Sequence, residues 1–260
     1  DFGNAKIDFF RERLPGLESI PSHDTFNRFF SALNPEYFER IFRHWMFEIC
    51  EKYEGVVAID GKTIRGASKC TSSHPAGNPG FKLHMVSAWA TANGISLGQL
   101  KVNEKHNEIV AIPLLLEALD LTGCLVTIDA MGCQTDIAKK KIECGADYVL
   151  ALKENHRNLY NTVKGWFDDL DKKNIDVNKA YYATRYGKYI TEEEAHGKHE
   201  RRECLVYSCQ ALTGMLKDWK GLKAVVRISS QRTIRTTGET TVNHRFYITS
   251  LGLEPQRIAE

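Results

Sequence analysis

The 260-residue sequence contains no run of about 18 consecutive apolar residues, so it offers no membrane-spanning helix. Its first stretch, DFGNAKIDFFRERLPG, has no apolar core of the kind a secretory signal needs. Asp1 is not an initiator methionine, so the chain is expected to begin inside a longer reading frame or after processing. Cysteine is present but unpatterned. The seven residues (Cys50, Cys70, Cys124, Cys133, Cys144, Cys204, Cys209) are odd in number, scattered, and form no CxxC pair. That argues against a disulfide framework and for reduced thiols in a cytosolic protein. His196 and His199 with Cys204 and Cys209 match no common zinc spacing, and a short polar strand accounts for them. Gly61, Gly66 and the glycines that follow form no phosphate loop. No internal repeat or low-complexity linker appears.

What remains is an ordinary globular composition, 42% hydrophobic and 26% charged, with a net charge of +2. The charge is unevenly distributed. Lys217, Lys220, Lys223, Arg227, Arg232, Arg235 and Arg245 face only Asp218 and Glu239 in the same stretch. That excess is of a size that could track a phosphate backbone, although from charge alone a solvated face is the preferred reading.

The spacing predicts two helices over 22–54. Phe26, Phe29, Phe30 and Leu33 follow Ser22 and Asp24, either of which can cap. Asn34-Pro35 supplies an N-cap and a first-turn proline for the second, whose stripe is Phe38, Ile41, Phe42, Trp45 and Ile49. The pattern then turns to α/β. GVVAID (55–60) reads as a strand ending in an acid, and FKLHMVSAWA and ISLGQLKV flank the hairpin signal Asn93-Gly94. A helix over 107–121 is expected, with Ile109, Ile112, Leu116 and Leu119 on one face and a kink or delay at Pro113. CLVTIDA is a buried strand ending in an acid; 134–145 is helical, DYVLAL a strand, and 155–172 an amphipathic helix. From about 180 to 245 short strands dominate (RECLVYS, KAVVRISS, ETTVNHRFYITS), and a helix starts near Glu254. Loop 66–80 is rich in Ser, Gly and Pro. Trp89, Trp166 and Trp219 are read as core. Strand, hairpin, helix, strand, helix, strand is the order of a ribonuclease-H-like mixed sheet, although periodicity alone also suits other α/β folds.

Asp60 in VVAIDGKT and Asp129 in LVTIDAMGCQ each end an apolar strand. A buried lone carboxylate is costly, and a divalent ion removes the difficulty. Two ions a few ångströms apart suit in-line displacement at a phosphodiester. Each Asp taken singly also fits a plain turn cap. Lys62 and Arg65, close behind Asp60, suit either a DNA phosphate or local charge balance. Glu104, Asn107 and Glu108 read as a capping cluster for the next helix.

AIDGKTIRG, HMVSAWA, LGQLKVNEKHNEI, IPLLLEALDLTGCLVTIDAMGCQTDIA, GADYVLALKENH and EEEAHGKHERR together resemble the H-repeat-associated (Rhs-linked) proteins of bacterial insertion sequences, which are DDE-type transposases. The resemblance runs from about Phe9 to the end of the chain. It implies residues 1–52 as a helical accessory segment and 53–260 as a ribonuclease-H-like DDE core, with 178–245 as a β-rich insertion. It implies Asp60 and Asp129 as the first two acids, holding two Mg²⁺ or Mn²⁺ ions. Lys62, Arg65, Arg227, Arg232 and Arg235 are expected to contact double-stranded DNA, both element ends and target. A homo-oligomer acting in the cytoplasm at the nucleoid is also expected. The family's third acid lies in an HWxIEN motif on a helix after the insertion. Here the chain reaches only Arg257-Ile258-Ala259-Glu260, so that helix is expected to be cut short. Glu200, in HGKHERR, is the internal alternative. A nuclease that only hydrolyses, and a DNA-binding remnant without chemistry, stay open as further readings.

Overall fold

The computed structural model describes residues 2–49, 55–64, 83–102, 108–173, 184–195, 197–209 and 216–260. They fall in two compact units, Asp1–Ile49 and Cys50–Glu260.

The first unit holds α1 (Phe2–Ala5), α2 (Ile7–Arg13), α3 (His23–Ala32) and α4 (Pro35–Ile49). Capping sets where the two longer helices begin. Ser22 Oγ accepts the Thr25 N–H at 3.2 Å, and Asn34 Oδ1 accepts the Tyr37 N–H at 2.9 Å. Pro35 follows as the first helical residue, where its missing N–H costs nothing. The expected stripes form on α3 and α4, with Phe26 against Phe30 and Phe38 against Phe42.

The second unit is built on one sheet. Its strands are β1 (Val56–Ile64), β2 (Leu83–Ala90), β3 (Ile95–Val102), β4 (Leu125–Ile128), β5 (Asp147–Leu152), β6 (Tyr186–Ala195), β7 (Lys198–Ser208), β8 (Ala224–Ile234) and β9 (Thr240–Thr249). Their order is β3-β2-β1-β4-β5-β9-β8-β7-β6. The first three strands are antiparallel, while β4 runs parallel to β1 and β5 parallel to β4. Parallel neighbours need helical crossovers, here α5 (Glu108–Glu117) and α6 (Thr135–Glu143). This is the ribonuclease-H-like arrangement. Gly94, with φ of +66°, turns the β2–β3 hairpin as its sequence predicts.

Both faces are covered, so the parallel strands are apolar on both sides. Val57, Ile59, Val126, Ile128, Tyr148 and Leu150 pack in the larger core, which also takes in buried residues of α5, α6 and α7 (Arg157–Lys172). Leu125, Val149, Cys204, Val206, Ala224 and Val226 face the other way and meet Ile258 of α8 (Pro255–Ala259). β9 pairs antiparallel with β5, so the β-rich region joins the same sheet instead of forming a separate layer. Its outer end is polar and held by cross-strand charge: Glu192 with Arg201 at 3.5 Å and Lys188 with Glu203 at 3.1 Å.

Four expectations change. β1 runs on to Ile64, so Asp60 lies within the strand instead of at its end. β6 (YGKYITEEEA) is a full strand that apolar patterning could not reveal, because it is held by pairing with β7 and by Tyr189 packing toward α8, not by an apolar run of its own. α5 carries Pro113 inside it and buries Ala111, Ile112, Leu115 and Leu116, leaving Ile109 exposed. Trp219 is core, but Trp89 is 45% exposed. Loop 66–80 lies outside the described residues. Cys124, Cys133, Cys144, Cys204 and Cys209 are free thiols. No helix among the described residues is long and apolar enough to cross a membrane.

Candidate active site

Asp60 and Asp129 are neighbours by register. Ile59 pairs with Ile128 across the parallel β1–β4 ladder, and each Asp is the next residue along. Both follow an isoleucine that faces the larger core, so alternation sends both carboxylates to the opposite side, the face of Leu125 and Val149. Adjacent strands lie ~4.8 Å apart, within which two carboxylates can share an ion. Both residues are exposed, so no burial of charge has to be offset there, contrary to what the apolar run before each suggested. Neither has an ion-pair partner among the described residues.

β4 stops at Ile128 while β1 continues. Asp129 then caps a 3-10 turn over Ala130–Gly132, with Oδ1 accepting the Met131 N–H at 3.0 Å. The turn-cap role and a ligand role are compatible, since the second oxygen has no hydrogen-bond partner among the described residues. The turn is pinned from behind. Asn155 Nδ2 donates to the Ala130 carbonyl at 2.7 Å, and His156 Nε2 donates to the Cys133 carbonyl at 2.6 Å. Both come from the 3-10 turn Glu154–His156 after β5. Gly132 is required here, because a Cβ would run into Ile128 Cγ2.

Gly61 plays the matching part behind Asp60. A Cβ there would lie 2.5–2.8 Å from the Glu108 carboxyl oxygens. Glu108, in the first turn of α5, is only 8% exposed, so it is packed against β1 instead of serving as a solvent-side cap. Glu104 and Asn107 lie outside the described residues. Lys62 is exposed, two residues beyond Asp60 on the same face; Arg65 lies outside the described residues.

The structure does not bring Glu200 to this pair. β7 is four strands from β4, and register places Glu200 six residues further out, roughly 25 Å or more along the sheet. Its carboxylate instead accepts Arg202 Nε at 2.8 Å and Arg232 Nη2 at 3.0 Å. Those two guanidiniums hold its pKa below the usual carboxylate range. Arg227 is buried, points to the α7 side, and donates twice to Asp171, at 2.6 and 3.0 Å. Arg235 pairs with Glu194 at the ribbon tip. Among the described residues no group of three His, Cys, Asp or Glu is placed to hold a metal.

Comparison with known proteins decides the family. Residues 52–260 match the model of the family described as "Transposase DDE domain", and residues 1–46 match a family associated with it. The chain belongs to the DDE transposase family. It is 37% identical over 262 residues to "Putative transposase YncI" of Escherichia coli O157:H7, covering 100% of this chain and 63% of the relative. It is 34% identical over 264 residues to "H repeat-associated putative transposase YhhI" of Escherichia coli K12, covering 100% and 66%. An uncharacterised protein of Xanthobacter autotrophicus, from the dhlA 3' region, is 34% identical over 257 residues, covering 98% and 81%. The chain thus spans about two thirds of the two Escherichia coli relatives. A piggyBac transposase chain in a synaptic complex with hairpin DNA aligns with 98% of this chain and 51% of its own at 11% identity, with a TM-score of 0.39.

Asn155, His156, Gly132 and Glu108 gave no chemical signal in this DDE-family sequence. They lie inside the motifs GADYVLALKENH, TIDAMGCQ and NEKHNEI, but their roles depend on contacts across the fold.

Proposed function

We propose that this chain is the catalytic core of a DNA transposase, with Asp60 and Asp129 as the two carboxylates that hold Mg²⁺ or Mn²⁺ against a phosphodiester. The observation that carries this is the in-register pair: two exposed carboxylates on adjacent strands, one face, neither in an ion pair among the described residues. The donor set fits a hard divalent ion, which commonly takes one or two carboxylates and fills its shell with water and phosphate oxygens. Bound ions would stabilise both the attacking and the leaving oxygen in hydrolysis and strand transfer.

The protein's own part is placement. Met131 N–H fixes one oxygen of Asp129 and leaves the other for a ligand. Asn155 and His156 hold the turn, and Glu108 against Gly61 holds the strand behind Asp60. Lys62, on the same face, is set to meet a phosphate of double-stranded DNA. A third carboxylate reaching the pair would come from the face on which α8 packs, since Ile258 lies there with Leu125 and Val149. Residues 1–52 act as an accessory helical segment, and the working particle is a homo-oligomer on paired DNA ends.

Mn²⁺ titration followed by electron paramagnetic resonance tests the pair. Asp60→Asn and Asp129→Asn are each expected to weaken binding by tenfold or more. Mg²⁺-dependent nicking of plasmid DNA should fall about a thousandfold, the equivalent of ~4 kcal/mol. Unchanged Mn²⁺ binding in both variants would overturn the assignment. A second reading, a DNA-binding remnant without chemistry, is favoured by the lack of a third ligand among the described residues. DNA binding with no nicking under either ion would decide for it, and nicking without strand transfer would point to a nuclease.

A further inference from the structure

Beyond the aspartate pair the same sheet face carries a concavity of about 390 Å³, lined by Glu200, Arg202, Ser230, Arg232, Asn243 and Arg245 among others. Alternation puts these side chains on the face of Asp60 and Asp129, because Cys204, Val206, Ala224 and Val226 share their parity and pack with Leu125 and Val149. Register arranges them in rungs. Glu200 lies opposite Arg232, Arg202 opposite Ser230, Ser230 opposite Asn243, and Ile228 opposite Arg245. The rungs begin past the end of β4. Arg245 is two strands over from Asp129 and two residues further out, roughly 12 Å along the sheet. The groove therefore leads away from the proposed metal site along the same face.

Its lining carries three guanidiniums and one carboxylate, with Glu193 on the neighbouring strand opposite Glu200 and acting on Arg202. Glu200 places one oxygen on Arg202 and the other on Arg232, and its side chain is only 18% exposed, against 53% and 51% for the two arginines. Each arginine gives one N–H to Glu200 and is about half exposed, so further N–H groups remain for another acceptor. Arg245 is exposed and has no ion pair among the described residues. A two-oxygen anion held between two guanidinium forks is the arrangement arginines make around phosphate.

We infer that Glu200 is an internal stand-in for a DNA phosphate. It holds Arg202 and Arg232 in place until a backbone phosphate, entering beside Arg245, takes over their N–H groups. This rests on the reading of double-stranded DNA as substrate. Glu200 would then act as an electrostatic brake on non-specific binding, remote from the metal pair. A purely structural ion-pair network would instead bind nothing and serve only the fold.

The salt dependence of binding separates these. The protein is titrated into a fluorescein-labelled duplex of mixed sequence, followed by anisotropy between about 50 and 200 mM NaCl, where each phosphate contact contributes ~0.9 to the slope of log K against log salt. Glu200→Gln is expected to bind more tightly at low salt, with a slope steeper by about 0.9 for each arginine released, up to ~1.8. Arg245→Gln is expected to flatten the slope by about 0.9. Should Glu200→Gln fail to fold, exposed Arg245 carries the test. Binding by the unsubstituted protein with neither slope altered in the variants overturns this inference and leaves DNA as the substrate. No binding by the unsubstituted protein at the lowest salt overturns both.

Discussion

The two halves of the sheet treat carboxylates in opposite ways. On β1 and just past β4, Asp60 and Asp129 stand side by side, and neither forms an ion pair among the described residues. On β7, Glu200 has two arginines, one on each oxygen. Like charges held next to each other repel, so the first arrangement costs stability unless something positive enters; the second is already satisfied. The difference separates acids without a counter-charge from an ion-paired one. It also explains why Glu200, attractive by motif, is no third member of the aspartate pair. The arginines divide similarly. On β8, Arg227 and Arg232 point to opposite faces, one clamped to Asp171 inside, the other at the groove. Residue type and local charge do not distinguish them; strand parity does.

The comparison can be broken at its buried arginine first. Arg227→Ala removes a two-pronged ion pair and the guanidinium packed over Phe167. Because Asp171 remains largely in water, the expected loss is about 2–3 kcal/mol, or a Tm lower by roughly 5–10 °C. The salt slope of DNA binding should not move. A flatter slope would make Arg227 a DNA contact and erase the distinction between the faces.

The aspartate half is sharpened by Gly132→Ala. The added methyl must push Ile128, and with it the end of β4, at a cost of about 1–3 kcal/mol. Mn²⁺ affinity should fall while DNA salt dependence stays. Unchanged Mn²⁺ binding would show that the turn does not position Asp129.

The smallest effect concerns a residue that serves neither half. Lys141 is fully buried on α6 with no hydrogen-bond partner for its Nζ, and burial holds its pKa well below the ordinary 10.5. Between the lowered folded-state value and 10.5, the unfolded chain therefore binds a proton that the folded chain has lost. That costs stability at neutral pH, and the cost is relieved as pH rises toward 10.5. Lys141→Met should raise stability by about 1 kcal/mol at pH 7 and remove that upward slope. The buried thiols act in the opposite sense. Burial pushes Cys133, Cys204 and Cys209 from 9.0 up to about 12, so their contribution is full below pH 9 and is lost as pH rises toward 12. Urea unfolding across pH 7–11 would read both trends, and a Lys141→Met protein no more stable than the parent would show that the amine has a partner.

Much of the architecture was legible. Strand–hairpin–helix–strand order, Asn93-Gly94, the Asn34-Pro35 cap and the α6 stop at Gly145 are local signals, written within a few residues each. β6 was not, since a strand of glutamates and tyrosines is set by its pairing with β7 and its contact with α8, both distant in sequence. Asp60 and Asp129 were legible as acids after apolar runs, but the reason first given for them, burial, does not hold in the structure. Glu108 does open α5 as expected, but its burial against Gly61 was not legible, because nothing in NEKHNEI shows that Gly61 leaves room for its carboxylate.

By itself the sequence determined the periodicities, the turns and the two strand-borne aspartates, because those depend on neighbours one to four residues away. Only the tertiary structure decided which side chains share a face: that Asp60 and Asp129 meet, that Glu200 lies far from them between two arginines, and that Arg227 is inside. Register between strands distant in sequence sets those relations, and register is a property of the whole sheet.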